Sequence, residues 1–156
     1  MYKVRRWAVR HSHFFETFYN VFEKALVKLH PLLLKIGYAR LDKPVAKLEQ
    51  LCKGLLFDCK MCGQCALSDT GMSCSMNCPK NLRNGPCGGV RQNGNCEVKP
   101  LMRCVWMDAW QGSQTMAASD RIFAVQLPVN HALQGSSAWL RKVRDVVQQQ
   151  HEPTPK

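Results

Sequence analysis

Histidine is absent between His30 and His131, so any metal held in the middle of this chain is held without imidazole. No run of about 18 apolar residues occurs, which leaves no segment suited to crossing a bilayer as a helix. The basic opening MYKVRRWAVR is not followed by the apolar run of roughly 7–15 residues and small-residue cleavage site of a secretion signal. It is acid-poor up to Glu16 and loosely resembles an organelle presequence. Its helical pattern nevertheless continues into apparent core, so it reads as mature protein. A repeat of fixed long period is also missing. At 156 residues the chain is too short for a catalytic barrel of about 250. Acids are scarce: 11 against 22 lysines and arginines, a formal charge of +11. Such a surplus points to nucleic acid, an anionic membrane surface or an acidic protein partner.

Cysteine is what the chain has in excess. Eight of its nine fall between residues 59 and 104: Cys59, Cys62, Cys65, Cys74, Cys78, Cys87, Cys96 and Cys104. Their spacing is C-x2-C-x2-C-x8-C-x3-C-P-x7-C-x8-C-x7-C. The same stretch holds Gly63, Gly71, Gly85, Gly88, Gly89 and Gly94 with Pro79, Pro86 and Pro100, and few large apolar residues. That is turn chemistry, and a core of its own is out of reach. Metal coordination is the expected staple. Disulfides are disfavoured by the missing secretion signal and the odd cysteine count, which together suggest thiols in a reducing cytoplasm. Ligating thiolates also correct the charge, since two four-thiolate centres at about −2 each bring +11 to about +7.

Around this stretch the pattern is helical. Phe15, Phe18, Phe22, Leu26, Leu29, Leu33 and Ile36 step by three and four, predicting a helix over 12–36. Ser12 is placed to cap it, Pro31 to kink or break it near His30, and Gly37 to end it. Its aromatic face either packs on the rest of the chain or docks a partner. A second helix is expected from Pro44, with Val45, Leu48, Leu51, Cys52, Leu55 and Leu56 on its apolar face. There Cys52 acts as a small hydrophobe, outside the ligand set. Beyond Cys104, a short turn around Trp106 and Trp110 lids the cysteines, residues 111–119 read as a linker, and Ile122 to Val129 as an extended arm. Ser136 or Ser137 caps a last helix through Val147, and a disordered tail follows from Gln148. The expected fold is a small single domain, mostly α, with an irregular, cysteine-rich, metal-stapled region. Its parts are 1–43 (docking or core helix), 44–110 (metal-binding) and 111–156 (linker, arm, last helix and tail).

Two chemistries compete for the sulfur. The triple Cys59, Cys62, Cys65 suits three corners of a [4Fe-4S] cubane, with a distant cysteine as the fourth. Bacterial ferredoxins have that triple followed closely by C-P, but Cys78-Pro79 lies 12 residues beyond Cys65, so their fold is not implied. Pairs at C-x2-C and C-x3-C are equally ordinary for structural Zn2+. Eight cysteines make two clusters, two zinc sites, or one of each.

The run CKMCGQCALS from Cys59, CSMNCPKNLRNGPCGG from Cys74, GNCEV around Cys96 and CVW from Cys104 resembles the methylenetetrahydrofolate reductase C-terminal domain family, over about residues 45–110. The resemblance implies that the eight cysteines are ligands. It implies a cysteine-rich small subunit beside a flavin-bearing catalytic subunit, as in acetogen-type reductases. Such a subunit would pass electrons toward the partner's flavin, in one-carbon metabolism, with a donor such as ferredoxin as a further partner. No flavin-phosphate loop or folate-binding carboxylate is recognisable in this chain, so catalysis would belong to the partner. The rival reading is a zinc-stapled module binding nucleic acid or another acidic surface. Lys80, Arg83 and Arg91 could form its patch, but the interleaved aromatics of a stacking platform are missing. A third reading keeps the metal purely structural.

Overall fold

The computed structural model describes residues 2–151. Six helices carry it: α1 (Tyr2–Arg10), α2 (Ser12–Lys28), α3 (His30–Ile36), α4 (Tyr38–Phe57), α5 (Val105–Ser113) and α6 (Ala138–His151). Short 3-10 turns lie at Ser75–Asn77, Ser119–Phe123 and His131–Leu133. Between α4 and α5 the regular structure is sparse: one of those turns and the isolated bridges Val90–Cys96 and Asn95–Arg103. The fold is therefore mostly helical with an irregular cysteine-rich middle, as its glycines and prolines predict. Among the described residues, no helix is long and apolar enough to cross a membrane.

The N-terminal helices form a segmented rod. Leu29 joins α2 to α3 with near-helical dihedrals, and Pro31 sits in the first turn of α3, where its missing N–H costs nothing. Gly37, at φ +95°, turns the chain into α4. That helix begins at Tyr38, six residues before the expected start, and carries Pro44 inside it. Asp42 is not its cap; the carboxylate instead accepts the Ser137 N–H at 3.1 Å, at the start of α6.

The aromatic face of α2 is divided. Phe15 is buried against Phe57 with ring centres 5.3 Å apart, while Phe14, Phe18 and Val21 stand in solvent. Phe15 and Phe57 join Ala8, Leu67, Met72, Cys74 and Met116 in one apolar cluster. A second cluster gathers Cys78, Cys104, Val105, Trp106 and Ala109. Each contains cysteines from the irregular segment, so the cysteine region is packed into the core and not appended to it.

Part of the expected linker packs into the body of the protein. Helix α5 runs on to Ser113, and Gly112, Ser113 and Met116 are buried. A Cβ at Gly112 would collide with the backbone of Gly71, and one at Gly71, whose φ is +58°, with α5. Ser12 Oγ donates to Gly112 O at 2.7 Å, locking α2 to the same point. Gly112→Ala should cost about 3 kcal/mol by overpacking, read as a lower urea midpoint at unchanged slope. The arm after Phe123 lies on this chain itself: Asn84 exchanges hydrogen bonds with the Gln126 backbone at 2.8 and 2.9 Å. At the C-terminus, α6 extends to His151, past the expected start of disorder at Gln148; the rest of that tail lies outside the described residues.

Candidate metal centre

Helix α4 ends at Asp58, whose φ of +52° reverses the chain and delivers Cys59 to the body of the molecule. The loop that follows is tightly wound, with Met61 at φ +50° and Gly63 at φ +72°. Gly63 is required there, because a Cβ would strike Leu133 and Ser136. This winding turns Cys59, Cys62 and Cys65 toward one pocket, and Cys74 enters it from the next loop. Those four thiols share its wall with Met61, Leu67 and Met76. Cys62 and Cys74 are buried, Cys59 is half-buried and Cys65 is exposed.

Sulfur is not the only chemistry at this pocket. Lys53 Nζ donates to Cys65 Sγ at 3.3 Å, and Arg83 Nη1 donates to Cys62 Sγ at 3.8 Å. The Met61 N–H points at Cys59 Sγ at 3.4 Å. Both cations are buried, at 3% and 8% exposure. Lys53 also donates to Glu49 at 2.7 Å, one helical turn earlier. Glu49, 1% exposed, accepts from Ser137 Oγ at 2.8 Å and from the Trp139 N–H at 3.2 Å. One carboxylate thus ties α4, the start of α6 and, through Lys53, the cysteine loop. Arg141 of α6 adds a bond to Gly63 O at 3.1 Å.

The electrostatics follow from this crowding. Burial alone would lower the Lys53 pKa, but the Cys65 and Tyr19 negative forms and Glu49 outweigh it and raise it. Its neighbours thus favour the charged form of Lys53 beside sulfur. Burial pushes the Tyr19 phenol up, with Cys65 adding to it. The Cys59 thiol is raised by its hydrogen bond to Cys74 and by burial, and the same bond holds Cys74 below its ordinary value.

The remaining four cysteines, Cys78, Cys87, Cys96 and Cys104, follow in the next part of the segment. Cys78 and Cys104 share the second apolar cluster. The Cys96 N–H donates to Met102 O and the Cys104 N–H to Gly94 O, both at 2.9 Å, folding residues 94–104 back on themselves. Cys87 and Cys96 both lie near the Lys80 ammonium, whose pKa is raised first by its bond to Glu97 and then by these two sulfurs. Trp106, expected as a lid, is buried against Cys78 and Cys104, while Trp110 is exposed. Among the described residues, no three histidine, cysteine, aspartate or glutamate side chains converge as closely as a single ion requires.

The donor set nevertheless fits a soft metal. It offers thiols with no imidazole among them, and it brings two buried cations and a backbone N–H to bear on sulfur. Ligating thiolates are anionic, and such donors are what buried negative charge needs.

Three sequence expectations change here. Cys52 lies on α4 but is exposed, and it does not face the core as a small hydrophobe would. Arg83 is no part of an open basic patch; it is buried, bonding Gln64 O at 3.0 Å and Leu127 O at 3.3 Å. Lys53, Glu49 and Tyr19 were not anticipated as site residues. The only trace of the first two in the sequence is their i, i+4 spacing, which ordinarily marks a surface pair.

No curated protein and no solved structure matches the chain. A family model described as "Methylene-tetrahydrofolate reductase C terminal" matches residues 38–132, more than half of the chain. The match begins one residue after the Gly37 turn and takes in α4, all eight clustered cysteines, α5 and the arm. The chain belongs to the methylenetetrahydrofolate reductase C-terminal family.

Proposed function

We propose that this protein is a non-catalytic iron–sulfur subunit that serves a flavin-bearing methylenetetrahydrofolate reductase. Its first centre is held by Cys59, Cys62, Cys65 and Cys74, and a second by Cys78, Cys87, Cys96 and Cys104. The observation that carries this reading is the first pocket, where three of the four thiols are met by N–H groups from Lys53, Arg83 and Met61. Family membership makes the reductase the natural partner.

When bound, a cubane cluster supplies one-electron transfer. The chain's own residues set how readily that happens. Lys53 and Arg83 place fixed positive charge against the sulfurs, which favours the more negative, reduced state. Met61, Leu67 and Met76 line the pocket beside the buried Cys62 and Cys74, where these charges act through a lower dielectric than at the exposed Cys65. Structural zinc in the same eight thiols is the second reading, favoured by the C-x2-C and C-x3-C pairs.

The two part on redox activity. Under anaerobic conditions, the dithionite-reduced and desalted subunit should bleach the flavin of the purified reductase, with a matching change in its own visible absorbance. A subunit that shows no absorbance change on reduction and leaves the flavin oxidised would overturn the electron-transfer role.

A further inference from the structure

We propose that the outer face of α4 is the surface on which the flavin-bearing reductase docks; this rests on the functional reading above. The helix is inverted relative to an ordinary surface helix. Its inward face carries the charged pair Glu49 and Lys53, while Leu48, Leu51 and Leu55 stand outward at 56%, 60% and 55% exposure. These leucines follow one another at three and four residues, so they form one stripe. A solvated face gains nothing from such a stripe, whereas an interface core does.

The stripe leads to the first centre. A groove along the helix is lined by Lys47, Gln50, Leu51, Gly54 and Leu55, with Asp58, ion-paired to Lys60, and Cys59 at its end. A neighbouring groove shares Lys47, Gln50 and Cys59 with it and continues to Lys43 and Gln134. A partner seated on the leucines therefore rests against Cys59, a half-buried corner of the sulfur pocket.

Three observations select the occupant. Arg40, Lys43 and Lys47 are exposed on this helix and none makes an ion pair among the described residues, so the complementary surface is apolar with an acidic rim. Those cations would face one another in a symmetric pairing, which disfavours a second copy. The face also lies wholly within residues 38–132, the part shared with the reductase family. The exposed Phe14, Phe18 and Val21 of α2 precede that region and serve as the control.

The test is titration of the full-length subunit with the flavin-bearing methylenetetrahydrofolate reductase of the same organism, with metal content measured on each sample. Leu51→Glu/Leu55→Glu should raise Kd about tenfold or more with circular dichroism and metal content unchanged. Lys43→Glu/Lys47→Glu should weaken binding and flatten its salt dependence, and Phe18→Glu should bind like the native chain. An unchanged Kd for the leucine variant, or a larger loss with Phe18→Glu, overturns the proposal. Native protein that binds the reductase but lacks iron removes the iron–sulfur reading and leaves this docking face standing. Native protein that does not bind it removes the docking face.

Discussion

Cys62→Ser is expected to strip the first sulfur group of its metal and to unfold the segment from 59 to 104, while Cys52→Ser should do neither. The segment has almost no regular structure, only a 3-10 turn and two isolated bridges. Binding free energy in such a region is folding free energy, about 10–16 kcal/mol for structural zinc in small peptides. A whole domain is stable by only about 5–15 kcal/mol, so losing one centre outweighs everything else in the segment. Because Leu67, Met72 and Cys74 share an apolar cluster with Ala8 and Phe15, the damage should reach α1 and α2. Limited proteolysis should cut Cys62→Ser between α4 and α5, with metal released into the filtrate. Cys52 is exposed and touches no part of the pocket, so its serine variant should lie within about 0.5 kcal/mol of the native chain. Metal loss from Cys52→Ser with retention in Cys62→Ser would show that the ligands had been misassigned.

The second large effect is expected at Glu49. Removing this carboxylate leaves Lys53 buried with no carboxylate partner, only Cys65 and the faces of Tyr19 and Trp139, and frees two donors at the start of α6. Breaking a buried pair in this way costs about 3–5 kcal/mol. Glu49→Ala should therefore unfold at much lower urea and loosen α6 first, seen as early amide exchange after Ser137. Lys53→Met on the same background should recover part of the loss, since an apolar replacement no longer carries an unpaired charge. A double variant as unstable as Glu49→Ala alone would argue that Lys53 owes its place to sulfur and not to the carboxylate.

Much of this was legible before any coordinates. The C-x2-C-x2-C run and the glycines fixed where the irregular segment would lie, because neither period 2 nor period 3.6 survives that density of turn residues. Ser137 was readable as a cap, and it accepts the Leu140 N–H at 3.3 Å while donating to Glu49. What misled was α4. Leucines at three and four residues normally mark the buried side, a rule that places Cys52 inward. The structure buries Glu49 and Lys53 instead, because the pocket beyond them is made of sulfur and supplies the charge partner that an apolar core lacks. Residues 111–116 misled for the opposite reason. Small polar residues read as linker, yet Gly112 is small because Gly71 lies against it, a contact across 41 positions that no local pattern records.

The central claim is tested most directly by counting iron, acid-labile sulfide and zinc per chain in protein purified without oxygen beside its reductase. The proposal predicts about four iron atoms for one cluster or about eight for two, with sulfide equal to iron and with any zinc confined to the second group of cysteines. Zinc alone, with no sulfide and with the reductase fully active, would contradict it and leave a structural subunit.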